Sequence, residues 1–177
     1  MKSDEELIKS ANQGDAEAFE TLYYRYRDWV YHLAWRFTGN EDEALDVLQE
    51  TFTYLLKKLP NLRLTARMTT FLYPVVKHLS VAISRKNRRY ISGDETLSEL
   101  PAPVPKEAHG LGAELGTVLA VLPDEQREVL LMRFVDGMSL EEITAALNIP
   151  ASTTKSRLYR ALQTLRQDSR TRDYFLE

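Results

Sequence analysis

Phe19, Leu22, Tyr23, Tyr26, Val30, Leu33 and Phe37 mostly fall three or four positions apart, the spacing that puts side chains on one face of a helix. They predict a helix over residues 15–37, broken by Thr38-Gly39-Asn40, where Asn40 and Glu43 have the spacing of a cap. A second helix is predicted over 41–59, with Leu45, Leu48, Phe52, Leu55, Leu56 and Leu59 inward, and Pro60 stops it. A third is predicted over 69–90, with Pro74 in its first turns, where proline is tolerated. Strand alternation, Asn-Gly hairpins and glycine-rich phosphate loops are missing. The pattern is that of an all-α protein.

Residues 122–166 read as two short helices joined by a tight turn. Ser139 is a good N-cap, Glu142 can reach back to it, and Met138 and Ile143 can pack as a hydrophobic staple. Leu140, Ile143, Ala146 and Leu147 form the inward stripe. Asn148 suits a left-handed helix end, and Pro150 prevents continuation. The next helix, from about residue 152, turns Thr154, Leu158, Ala161, Leu162 and Leu165 inward. That leaves Ser152, Thr153, Lys155, Ser156, Tyr159, Arg160 and Gln163 outward. Lys155, Arg157, Arg160 and Arg166 carry positive charge, and residues 151–166 hold no acid. Such a unit lays its second helix in the major groove of DNA, where Arg and Lys suit guanine edges and phosphates. The plainer alternative is a solvated face on an ordinary helical hairpin.

The 177 residues, 44% hydrophobic and 28% charged, can build packed cores in one or two domains. No apolar run approaches a membrane span, and the first ten residues lack a signal-peptide core, so a soluble cytoplasmic protein is expected. The chain has no cysteine, which excludes disulfides and thiolate metal sites. A net charge of −3 argues at first against a nucleic-acid partner, but the charge is unevenly spread. Residues 61–90 hold seven basic groups and no acid. Residues 91–111, with three prolines and four acids, read as a linker, and a further helix is predicted over 112–121.

These features together resemble the extracytoplasmic-function sigma factors, the small alternative specificity subunits of bacterial RNA polymerase. The resemblance rests on AFETLYYRYRDWVYHLAWRFTGNEDEALDVLQETF and TTFLYPVVKHLSVAISRKNRR, then on LPDEQREVLLMRF, SLEEITAALNIP and TKSRLYRAL. It implies two small helical domains joined by a flexible linker. These are a region 2 bundle over 1–90, a linker over 91–111 and a region 4 helix-turn-helix over 112–177.

The resemblance also assigns roles. Asp46, Gln49, Glu50 and Thr53, at i, i+3, i+4 and i+7, form a polar stripe that in the family packs on the clamp helices of the polymerase β′ subunit. The segment 61–90 matches the part that opens and reads the promoter −10 element. Arg63 and Arg67 flank a loop able to hold an extruded base, and Phe71 and Tyr73 offer stacking surfaces. Lys77, His78, Arg85, Lys86, Arg88 and Arg89 lie along the helix that follows, its cations placed for phosphates. Ser152, Thr153, Lys155, Ser156, Arg157, Tyr159 and Arg160 are the implied −35 contacts. The implied partners are core RNA polymerase (β′ clamp helices and β flap), promoter DNA and an anti-sigma factor, without membrane insertion. The chain departs from the family in Phe71 for Trp, His78 and Ala82 for Asn and Asp, and Ser152 and Thr154 for Gly and Val.

The linker fits two DNA contacts on one chain. At about 3.3 Å per residue it reaches about 70 Å, roughly two turns of duplex. A plain tether and a segment threaded toward the polymerase cleft both suit it. A transcription regulator that binds operator DNA could carry a C-terminal half like 122–166, but its receiver domain would alternate strands with helices, and residues 1–90 do not. His32, His78 and His109 are scattered, and no nucleophile–base motif is visible, so neither an enzyme, a metal site nor a cofactor is expected.

Overall fold

The computed structural model describes residues 2–92 and 113–171, apart from the side chains of 89–92 and 113–115. Every regular element among the described residues is a helix, and the chain divides into two compact units. The first holds α1 (Asp4–Asn12), α2 (Ala16–Thr38), α3 (Glu41–Lys58) and α4 (Met68–Ser92). The second holds α5 (Ala113–Leu119), α6 (Asp124–Phe134), α7 (Leu140–Leu147) and α8 (Ala151–Gln167).

In the first unit α2, α3 and α4 pack on one another, and α1 lies against α2. Asp15 caps α2 by accepting from the backbone N–H groups of Glu17 and Ala18. Gly39, at φ 63°, ends α2 in the left-handed conformation that a Cβ would oppose. The shared core is Leu22, Val30, Leu33, Ala44, Val47, Leu55, Leu72 and Val76, none more than 2% exposed. Each buried Leu or Val contributes about 1.5–3 kcal/mol, so this cluster outweighs the surface pairs.

The inward face of α3 differs from the expected one. Ala44, Val47, Thr51, Phe52 and Leu55 are buried, whereas Leu45 and Leu56 are 47% and 51% exposed. Ala44 and Thr51 hold inward positions, and helix geometry then places those two leucines on the outer side. Thr51 satisfies its hydroxyl on the Val47 carbonyl, 2.7 Å away. Asn40 does cap α3, accepting from Glu43 N–H, but the Glu43 carboxylate does not close a reciprocal box. It accepts from Ser84 Oγ at 2.5 Å and Asn87 Nδ2 at 3.2 Å, pinning the basic end of α4 to the start of α3. Helix α4 runs on through Pro74 to residue 92, two residues beyond its expected end.

Helix α1 was not expected from the pattern. Its nine residues offer only Leu7, Ile8 and Ala11 to the core, too few to declare a period. A capping box between Ser3 and Glu6 starts it, and Asp4 accepts from Arg25 (2.5 Å) and from the Tyr26 hydroxyl.

Residues 122–166 hold three helices, not two. Helix α6 buries Arg127, Val129, Leu130, Leu131 and Met132 in near-continuous sequence, so it is covered almost all round and shows no amphipathic stripe. Val118, Leu119, Leu122, Leu130, Leu131, Ala161 and Leu165 form the core of the unit, with Leu158 and Leu162 packed against it. The turn follows expectation. Ser139 and Glu142 close a capping box, Met138 and Ile143 are buried, and Asn148 is left-handed at φ 51°.

Candidate nucleic-acid interface

The acid-free segment begins in the loop between α3 and α4. Leu62 is buried, Arg63 and Arg67 are exposed on either side of the loop, and Met68 starts α4 in the core. Two hydrogen bonds with the Asn12 side chain hold Leu62: Asn12 Nδ2 donates to its carbonyl at 2.8 Å, and its N–H donates to Asn12 Oδ1 at 3.3 Å.

Along α4, Leu72, Val76, Ser80 and Ser84 are buried. On the other side Pro74, His78, Ala82 and Arg85, at i, i+4, i+8 and i+11, are all exposed. Lys86 and Arg88 are exposed near the end of the helix, and Lys77 is half-buried. The side chain of Arg89 lies outside the described residues. Phe71 is half-buried, its ring 6.4 Å from that of Tyr54 at 30°, with the Lys58 ammonium 5.1 Å from the Tyr54 centroid. Tyr73 is not a stacking surface: it is 1% exposed and packs edge-on against Phe37 at 6.0 Å. Its position follows from helix geometry, since residues 72, 73 and 76 share the inward arc.

On α3, Asp46, Gln49 and Glu50 are exposed and Thr53 is half-buried, all on the side away from α2 and α4. The outward leucines 45 and 56 border this polar stripe. The face is therefore mixed, polar with apolar edges, which suits a protein partner better than a duplex.

In the second unit, α8 presents Ser152, Lys155, Ser156, Tyr159 and Arg160 to solvent, Tyr159 with 66% of its surface exposed. Thr153 is half-buried. Arg157 points back into the unit, 21% exposed, and pairs with the Glu125 carboxylate at 2.6 Å. Thr154 is fully buried, its hydroxyl 2.9 Å from that of Thr144, so one hydrogen bond locks α7 to α8 at the turn. No side chain caps α8, which leaves the positive end of the helix dipole open to a phosphate.

Residues 22–90 match the family Sigma-70 region 2, and residues 112–165 match Sigma-70, region 4. The chain is 31% identical to the ECF RNA polymerase sigma factor SigW of Bacillus subtilis, over 92% of this chain and 95% of that one. The chain belongs to the ECF RNA polymerase sigma factors. This sigma factor is also 27% identical to the RNA polymerase sigma-H factor of Pseudomonas aeruginosa, over 93% of both chains. Its fold resembles CnrH in a complex with the cytosolic domain of CnrY, with a TM-score of 0.67 at 21% identity, covering 92% of this chain and 94% of that one. It also resembles the sigma factor RpoE of Bartonella quintana, solved with the anti-sigma factor NepR, with a TM-score of 0.64 at 21% identity, covering 86% and 96%. Matches that span both halves of the sigma factor disfavour the operator-binding regulator, which the C-terminal half alone left open.

Two residues that shape the sigma factor's surfaces escaped the sequence reading. Asn12 is an ordinary polar residue at a helix end, and only the folded chain brings it to Leu62, fifty positions away. Arg127 looks like one of many charges on a polar segment, yet it is 4% exposed. It donates to the carbonyls of Leu119 (2.8 Å), Leu122 (2.7 Å) and Ala120 (3.5 Å) and to Asp124 (2.9 Å).

Proposed function

We propose that the N-terminal unit docks on core RNA polymerase through the outer face of α3. In this reading it opens and reads the −10 element with the 61–67 loop and the exposed side of α4. The C-terminal unit reads the −35 element with α8, and residues 91–111 join the two. As a sigma factor the chain directs promoter-specific initiation by core polymerase. We read it as a non-catalytic subunit without a cofactor. Among the described residues no helix is long and apolar enough to cross a membrane, and we place the chain in the cytoplasm, where core polymerase works.

The observation that carries this reading is the pairing, in one small unit, of two differently built surfaces. One is an acid-free loop and helix that suits a polyanion, and the other is the mixed polar and apolar face of α3. Arg63 and Arg67 supply charge beside a loop, where backbone contacts can offset the few kcal/mol needed to unstack a base. Phe71, half-buried against Tyr54, keeps one ring near that loop for stacking. On α8, Arg160 and Lys155 are the exposed cations nearest the helix start, flanked by Ser152, Ser156 and Tyr159. Arg157 serves there as a brace to α6, through Glu125. We also propose an anti-sigma protein as regulator, supported by the Bartonella quintana sigma factor's complex with NepR.

Core polymerase and this chain, given a promoter library randomised over both elements, should yield transcripts only when both proteins are present. The enriched templates should share two short motifs about two helical turns apart. Sequence-specific duplex binding without any affinity for core polymerase would instead make the chain an operator-binding regulator. Arg160→Ala should weaken −35 binding by about 1–3 kcal/mol if the guanidinium grips a guanine in bidentate fashion. An unchanged −35 preference in that variant would remove Arg160 from the reading set.

A further inference from the structure

We infer that Asn12 is a positioning residue for −10 recognition, acting through its clamp on Leu62 to fix where Arg63 and the 61–67 loop stand. This rests on the reading of that loop as the −10 element reader. The loop between α3 and α4 belongs to no helix or strand, so its backbone groups need partners from elsewhere. One amide side chain serves both polar groups of Leu62, accepting from its N–H and donating to its carbonyl, much as a neighbouring strand would. The Leu62 side chain is buried beneath. With the peptide groups on both sides of Leu62 held, the direction in which the exposed Arg63 leaves the backbone is held too.

The clamp is useful only if Asn12 itself is rigid, and α1 makes it so. Asn12 is the last residue of α1, whose Leu7, Ile8 and Ala11 are buried. At the other end Ser3 and Glu6 close a capping box, and Asp4 is gripped by Arg25 and Tyr26 of α2. Desolvation and the Asp4 hydrogen bond push the Tyr26 hydroxyl well above its ordinary range, so it stays a donor throughout the physiological range. Helix α1 is therefore a strut that carries the rigidity of α2 to a loop α2 does not contain. Mobile loops lose binding energy to ordering, and a preformed one does not, which is why the effect should appear in base discrimination.

Two variants in the full chain, assayed with core polymerase on the randomised promoter library, test this. Asn12→Leu keeps the branching of the side chain and makes neither bond. Asn12→Asp keeps an acceptor for Leu62 N–H, loses the donor to its carbonyl, and leaves the buried side chains alone. Both should narrow the ratio between best and worst −10 bases by about tenfold, with the −35 profile unchanged. A merely structural role would lower transcription on all templates alike, and such a uniform loss with the −10 ratio intact overturns the inference. Arg63→Ala is run beside them. If Arg63→Ala flattens the −10 profile and the Asn12 variants do not, only the role of Asn12 falls. If none of the three changes it, the loop is not the −10 reader and both readings fall.

Discussion

Arg127→Met should unfold residues 113–171 under conditions where residues 2–92 stay folded. Methionine keeps the apolar length of the side chain but leaves the carbonyls of Leu119, Ala120 and Leu122 without the donor that reaches all three. The Leu122 carbonyl loses its buried donor, whereas the Leu119 carbonyl keeps the Leu122 N–H and Ala120 is exposed. Hydrogen bonds from a charged group are worth about 1.5–3 kcal/mol each, so the variant should lose about 3 kcal/mol. A domain of this size has only about 3–9 kcal/mol in total. Helix α5 should detach first, since Arg127 holds the carbonyl of its last residue, Leu119, and the turn that follows it, and Leu119 and Leu122 would leave the core with it. Arg127→Lys should fail almost as badly, because a single ammonium cannot span the fork that one guanidinium spans. Amide hydrogen exchange reads the outcome directly: protection should vanish in α6–α8 and persist in α2–α4. Equal protection in variant and parent would show that Arg127 is dispensable.

Leu56→Glu should abolish polymerase binding at almost no cost to the fold. Leu56 is 51% exposed on the outer face of α3, and surface substitutions of this kind usually change stability by about 0.5 kcal/mol or less. In the docked complex, however, the new carboxylate would be buried without a partner beside Asp46, Gln49 and Glu50. Affinity for core polymerase should fall at least a hundredfold, about 2.7 kcal/mol. Asp46→Ala, at the polar part of the same face, should reduce binding less. Thermal unfolding of Leu56→Glu should match the parent, and −35 binding by the C-terminal unit should be untouched. Polymerase affinity within threefold of the parent would place the docking surface elsewhere.

Helices α2, α3 and α4 were legible in the sequence because each is long and amphipathic, with apolar residues recurring over four or more turns. Signals local to one turn were equally readable: Asn40, Ser139 with Glu142, Gly39 and Asn148 all act within a few residues. Helix α1 failed that test by being short, and α6 by being buried nearly all round. The wrong inward face of α3 has a different origin. Leucines mark the core in most amphipathic helices, but packing of α3 against α2 and α4 buries Ala44, Val47 and Thr51 and leaves Leu45 and Leu56 to solvent. Those two leucines now give the polar stripe its apolar border.

What the sequence by itself determined was the order of the long amphipathic helices and of the helix-turn-helix, the charge of each segment and the family. All three depend on residue types and on spacings of a few positions, which no packing arrangement alters. Only the tertiary structure decided which like residues do different work. Tyr73 and Phe71 stand two positions apart, yet one ring is sealed against Phe37 and the other lies at the edge of the loop. Arg157 and Arg160 share a helix, yet one is spent on Glu125 and the other faces out. Asn12 and Leu62 meet across fifty positions. Hydrogen bonds and ion pairs reach about 3 Å, so their partners are set by where the chain returns in space, and sequence distance carries no record of that.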